Sequence, residues 1–389
     1  MQTTTSKNTI LILTAGCFLS FFVFGFTDNL KGPTLPAMIA ELNINYGTSG
    51  NIFFGQYLGF LITSFIAGVL ADRFGLKTVL IIAGAFLFIG VTGYSSFQSA
   101  VLLGVSLFLI GLGLGAIELG ANAAIVEAHP EKRGLYLNLM AVMHGLGSLL
   151  APLFAGWLLS MNTNWRTIYR WDIALIALFI FLFSFVRFPK SKEHNSIDFK
   201  HIAQIAFKGN LPWFYFAIAC YVAAEIGLSS WLVTFLQELR SASVTSSTQA
   251  LSLFFTMLML GRLGGGFIVQ RLGYLRAILF ASVGALVCLA AGTFTNFSVL
   301  LPITGLFFSI IFPTFTAAVS IDHPESTNSI LGILFTFAGL GGLIGPWAIA
   351  WASDLMGLQL GFSVGIIFTA LLLWAIFVLE KGKRNGQDS

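Results

Sequence analysis

Long apolar runs separated by short polar stretches dominate the chain. About 20 apolar residues cross the roughly 30 Å of hydrocarbon in a bilayer. Twelve segments qualify, at about Thr9 to Asn29, Ser49 to Leu70, Thr78 to Tyr94, Ala100 to Val126, Leu135 to Leu159, Ile173 to Phe188, Leu211 to Leu236, Leu251 to Val269, Ala277 to Thr295, Val299 to Ser320, Leu331 to Trp351 and Gly361 to Leu379. They predict an all-α membrane protein of twelve transmembrane helices. The longest polar stretch falls between the sixth and seventh and predicts two six-helix halves, 1–189 and 211–389, joined by a linker at 190–210. The first run is too long for a signal-peptide core and follows a single basic residue, so it is expected to remain as the first span.

Basic residues set the expected orientation, because Lys and Arg in short loops stay on the cytoplasmic side. With the N-terminus inside, Lys7, Arg73, Lys77, Lys132, Arg133, Arg187, Lys190, Lys192, Lys200, Lys208, Arg262, Arg271, Arg276, Lys381, Lys383 and Arg384 lie on or near that side. Only Lys31, Arg166, Arg170 and Arg240 lie toward the outside, which places both termini in the cytoplasm. Short loops and termini point to a multi-pass protein of a bacterial inner (plasma) membrane, expected to be a monomer in the lipid bilayer.

Composition narrows the function. Only 9% of the residues are Asp, Glu, Lys or Arg, against about 25% in soluble proteins. A cytosolic enzyme, a nucleic-acid binder and a disordered scaffold are thereby excluded. The net charge of +4 is explained by topology, leaving no basic stripe for nucleic acid. Cys17, Cys220 and Cys288 sit in separate runs and offer neither a disulfide framework nor metal spacing. No phosphate loop, zinc spacing or nucleophile elbow occurs, and Gly261-Arg262-Leu263-Gly264-Gly265-Gly266 follows no strand. No enzyme activity, cofactor or metal is expected. Transport would run on an ion gradient or on the substrate's own.

An internal repeat divides the chain. Gly68-Val69-Leu70-Ala71-Asp72-Arg73-Phe74-Gly75-Leu76-Lys77 is echoed by Gly266-Phe267-Ile268-Val269-Gln270-Arg271-Leu272-Gly273-Tyr274-Leu275-Arg276, at an offset of 198. Gly68, Gly75 and Gly273 permit close approach and a tight turn, while Asp72, Arg73, Lys77 and Arg271 are suited to charged gating contacts. Two parallel halves bearing this motif resemble the major facilitator superfamily, and that resemblance implies its fold, with spans 1, 4, 7 and 10 around a central cavity.

Ionisable residues inside spans are costly and therefore functional candidates. Span 4 carries Glu118, with Asn122 one turn later on the same face; span 7 carries Glu225. Asp28 stands near the outer end of span 1, at an offset of 197 from Glu225. A buried carboxyl favours its neutral form, so Glu118, Asp28 and Glu225 are candidates to load a proton on one side and release it on the other. Bland readings stand beside these. A buried Glu can simply hydrogen-bond a neighbouring helix, and Asp28 can pair with Lys31 at i, i+3 and fix the helix end. His144 is a lone intramembrane imidazole suited to a hydroxyl contact or a proton relay, or to plain packing. Gln56, Asn122 and Asn138 have amides that can meet substrate hydroxyls, Glu225 shares that role, and Trp231 can stack on a sugar ring. Trp165 and Trp171 read as interface anchors.

A narrower likeness follows from several segments together. Gly111 to Val126 with Leu137-Asn138-Leu139, Tyr221 to Val233, Gly261-Arg262, Phe312-Pro313-Thr314, and Gly341-Gly342 with Pro346 and Asp354 resemble the fucose:proton symporter family of bacterial fucose, glucose and galactose transporters. The resemblance implies proton coupling at Glu118 and a place in the sugar cavity for Asn29. It departs where that family's span 1 acid, four positions before a proline, corresponds to Gly32 before Pro36; Asp28 lies one turn earlier. The expected function is proton-coupled symport of a monosaccharide, a hexose or deoxyhexose, by alternating access. The rivals are a proton-coupled antiporter exporting drugs or metabolites and a non-transporting receptor. Sodium is the alternative coupling ion, since a carboxylate beside amide oxygens serves either.

Overall fold

The computed structural model of the chain describes residues 7–185, 208–322 and 327–385. Among them every regular element is helical: α1 (Lys7–Asn29), α2 (Lys31–Leu42), α3 (Tyr46–Phe74), α4 (Leu76–Tyr94), α5 (Ala100–Ala128), α6 (Arg133–Ser160), α7 (Trp165–Phe185), α8 (Leu211–Arg240), α9 (Val244–Leu272), α10 (Tyr274–Phe294), α11 (Leu300–Phe308), α12 (Ile311–Asp322), α13 (Thr327–Met356), α14 (Leu358–Phe362) and α15 (Val364–Asn385). Eleven helical stretches are long and apolar enough to cross a membrane, and there are twelve when the bent pair Tyr46–Ser64 and Ile66–Phe74 counts as one span. Side chains such as Leu11, Val101 and Phe267 are exposed, which suits a surface solvated by hydrocarbon. Apart from 208–210, the expected linker lies outside the described residues.

Two of the interrupted spans are broken at prolines. The first apolar stretch runs from Thr9 to Leu42, well past the expected end at Asn29, and is interrupted at Leu30. Pro33 has no N–H for the Asn29 carbonyl, and its ring crowds that carbonyl, so α1 stops and α2 restarts. Pro313 does the same to Ser309, separating α11 from α12 within the stretch Leu300–Ile321. The sixth span also begins earlier than expected, at Trp165 rather than Ile173. Its charges are absorbed locally: Arg166 Nε donates to Glu41 Oε1 at 2.8 Å and Nη1 to the Phe97 carbonyl at 2.6 Å. Trp165 is correspondingly buried under the Arg166 guanidinium and is part of the core, not an interface anchor, whereas Trp171 is exposed.

Contacts divide the chain into two compact units, Met1–Ile44 with Asn51–Asn195, and Asn45–Gly50 with Ser196–Ser389. In the first, α1 lies against α5, α6 and α7, and α4 lies against α5 and α7. Helices α3 and α5 meet backbone to backbone, since a Cβ on Gly59 would strike the Phe108 carbonyl and one on Gly111 the Gln56 carbonyl. In the second, α8 packs on α13 and α15, and α9 and α10 pack on α11. The backbones of α8 and α13 approach at Gly341 and Gly345, which face the carbonyls of Ala219 and Ala223. Small residues four apart are how helices gain packing contact in lipid, where no hydrophobic drive joins them.

Backbone corners echo the sequence repeat. Gly75 has φ 81° and ψ 152°, and Gly273 has φ 79° and ψ 163°. Asn43 and Ser241, also 198 residues apart, both cap their helices in the left-handed conformation. Asn162 and Gly357 supply positive φ at the junctions that follow α6 and α13. A side chain in the region occupied by Gly273 costs about 1–3 kcal/mol. Gly273→Ala is therefore expected to lower the thermal unfolding midpoint of the purified protein. Gly264→Ala, in mid-helix with open space around its added Cβ, is expected to leave the midpoint unchanged or raise it. Equal midpoints for the two variants would remove the argument.

Candidate functional site

The break at Leu30 concentrates polar groups in the first unit. Asp28, in the last turn of α1, accepts from Lys31 Nζ at 2.5 Å and from Gln56 Nε2 at 2.6 Å, while Lys31 Nζ also reaches Gln56 Oε1 at 3.3 Å. Lys31, expected toward the outside, is 4% exposed, and its ammonium lies 4.6 Å from the centre of the Tyr57 ring. Pairing of Asp28 with Lys31, one of its two sequence readings, is thus what the structure contains, and Gln56 completes it. A buried ion pair needs such extra hydrogen bonds to offset the loss of water.

Glu118, in the Gly-rich part of α5, lies within coulombic range of Asp28, and Asn122 follows one turn on. Both are half-buried. Asn29 Nδ2 donates to the Gly25 carbonyl at 2.8 Å and to Ser148 Oγ at 3.0 Å. Ser148 in turn donates to the His144 carbonyl, and the His144 ring stands edge-on to Phe24 at 4.8 Å. Asn29 and His144 therefore meet where α1 packs on α6. Asn138 does not join them. It is exposed near the start of α6, ten residues before Ser148, which is about 15 Å along a helix.

In the second unit Glu225 and Tyr221, one turn apart on α8, interact electrostatically with Arg262 of α9. The Tyr221 hydroxyl is buried without a hydrogen bond of good geometry. Each repeat-related acid thus has a cation and a tyrosine beside it: Lys31 and Tyr57 for Asp28, Arg262 and Tyr221 for Glu225. Trp231, expected to offer a face to a sugar, is fully buried; its Nε1 donates to the Pro346 carbonyl at 3.0 Å, and the Tyr46 ring packs against it. Its role here is to pin α8 to α13. Tyr46 and Gly47, which group with this unit, donate their backbone N–H to Asp354 at 3.0 and 2.8 Å.

The residues expected to gate frame the tight corners. Lys77 Nζ donates to the Ser184 carbonyl at 2.8 Å, tying the start of α4 to α7. Gly68 lies near Leu119, Arg73 leans over Phe74 at 5.3 Å, and Asp72, Arg73 and Arg271 are exposed. Among the described residues no ion pair forms at Asp72, Arg73 or Arg271.

Two polar clusters escaped the sequence reading. Asp172 on α7 is buried and accepts from Thr27. His129, between α5 and α6, stacks on Tyr136 at 3.6 Å and lies 2.7 Å from Thr14 Oγ1. Thr14 already gives its proton to the Ile10 carbonyl, so the imidazole is the donor. Partial burial, and then the nearby Lys132, hold His129 below the usual histidine range.

Apolar helices long enough to span, proline-broken first and tenth spans and a charged pair buried at the Leu30 break define an integral membrane protein organised around intramembrane polar sites. The profile of the Major Facilitator Superfamily matches residues 17–346, and the chain belongs to that superfamily; it is a transporter. The chain is 26% identical to a glucose/galactose transporter of Brucella abortus over 95% of its own length and 94% of that protein's. It is 24% identical to the cis,cis-muconate transport protein of Acinetobacter baylyi, over 94% and 93%. It is 23% identical to the L-fucose-proton symporter of Escherichia coli, over 97% and 94%. A solved structure of the E. coli fucose:proton symporter superposes with a TM-score of 0.65 over 95% of this chain and 99% of that one, at 18% identity.

Proposed function

We propose that the protein imports a monosaccharide, a hexose or deoxyhexose, together with a proton by alternating access in a bacterial inner membrane, with both termini in the cytoplasm and the two six-helix halves as its moving parts. The observation that carries this reading is Glu118 in the field of the Asp28–Lys31–Gln56 cluster. Asp28 is paired with Lys31, which makes Glu118 the proton carrier beside that cluster. Asn122 brings to the same region an amide that can meet hydroxyls, whereas Gln56 is buried and spends its amide on Asp28 and Lys31. The glucose/galactose and fucose-proton relatives support a sugar.

A second reading, transport of an organic dicarboxylate, draws on the muconate relative and on Lys31 as a buried cation. Liposomes containing the purified protein, with an imposed inward proton gradient, decide between them. Labelled glucose, galactose and fucose should accumulate and leak back when a protonophore is added. Accumulation of muconate alone would replace the sugar reading, and sugar uptake indifferent to the gradient would remove the coupling.

A further inference from the structure

Asp172 sits on α7, one residue before the start expected for the sixth span, and is 1% exposed. Thr27 Oγ1 donates to its Oδ1 at 3.1 Å, and Oδ2 is buried with no hydrogen-bond partner. No nearby cation is free to balance a charge there. Lys31 holds Asp28 and Gln56, Arg166 holds Glu41 and the Phe97 carbonyl, and Arg170 points to the exposed side of α7. A carboxylate in such a place, with one hydroxyl donor and no counter-charge, is strongly disfavoured against the neutral acid. A proton on Oδ2 would leave Oδ1 as the acceptor for Thr27.

The position of this carboxyl gives it a task. Tyr169, one turn earlier on the same face of α7, lies 3.2 Å from Thr34 Oγ1; Thr34 donates to the Leu30 carbonyl, so the phenol donates to Thr34. Helix α7 therefore grips the chain on both sides of the Leu30 break, at Thr27 through Asp172 and at Thr34 through Tyr169. Asp28 is the residue after Thr27 and faces Gln56 of α3 instead. The ionisable group that acts on Asp172 is Tyr169 on α7 itself, which in turn faces Tyr94 on α4 and Asp28 on α1; α6 brings none that acts on it.

We propose that Asp172 is a second proton-binding residue of the first unit: it holds a proton while Thr27 and Thr34 are docked on α7 and gives that proton to water when the α1–α2 break rearranges. This deepens the proton-coupled reading above, and it is tested without any substrate. Infrared difference spectra of the full-length protein in lipid vesicles, titrated from mildly acidic to mildly alkaline pH, should contain a carboxylic-acid stretching band that disappears as pH rises. Because Glu118 is itself a proton carrier, the spectra are compared in a Glu118→Gln background, where the band should remain and should be lost when Asp172→Asn is added. Thr27→Val, which removes the donor and keeps the acid, should move the band to higher frequency. In that background, a band retained on adding Asp172→Asn, a band from Asp172 unchanged across the whole titration, or no shift on adding Thr27→Val would each overturn the proposal. Absence of hexose uptake in the liposome assay would instead fail the sugar reading and leave these spectra as they are.

Discussion

Glu118→Gln abolishes uphill accumulation and spares exchange: that is the outcome expected in liposomes carrying the variant. Glutamine keeps the size and polarity of the side chain but cannot take up and release a proton. For one proton moved per substrate, each unit of pH difference is worth about 1.4 kcal/mol, or about a tenfold accumulation ratio. The variant should bring that ratio to unity. Counterflow of labelled against unlabelled sugar needs only reorientation of the loaded carrier and should stay within a few-fold of the parent. Accumulation at the parental ratio would show that Glu118 is a buried packing residue that hydrogen-bonds a neighbour.

The Asp28–Lys31 pair predicts the second large effect. Removing one partner of a buried pair leaves an uncompensated charge and costs about 3–5 kcal/mol. Asp28→Asn should lower the thermal midpoint sharply, because Lys31 at 4% exposure has Gln56 Oε1 as its other acceptor in the cluster. Lys31→Met should cost less, since Asp28, at 14% exposure, keeps the Gln56 amide and more access to water. The double variant should recover most of the loss, as apolar or neutral replacements of whole buried pairs commonly do. Simple addition of the two single effects would mean that the ion pair contributes no coupling energy.

Much of the architecture was legible because lipid imposes a simple rule on sequence. Every spanning segment must be apolar and helical, so the runs, the Gly111–Gly115 contact surface and the glycine corners could be read directly. The exceptions arise where polar residues are satisfied by partners distant in sequence. Arg166 and Arg170 marked residues 165–172 as a loop, yet Glu41 and the Phe97 carbonyl absorb Arg166 and let α7 begin at Trp165. Asp172 was overlooked for the same reason. Pro33 did carry a usable signal for the Leu30 break. Nothing local distinguished Trp231, whose indole is spent on Pro346, from an aromatic open to a ligand. Asn138 suffered from the opposite problem: a residue type suited to sugars, placed a full helix-third away from the polar cluster.

The paired corners at Asn43 and Ser241, and at Gly75 and Gly273, fix how the ancestral copies align, and their shift is 198 residues. By that register Asp28 corresponds to Ile226, and Glu225 stands one position, about 100° of helix rotation, away. The two halves therefore share their corners at one register while their acids sit on different helix faces. A symmetric protein built from two copies of either half would inherit the corners in duplicate, but it would carry one acid twice instead of Asp28 and Glu225 at different registers.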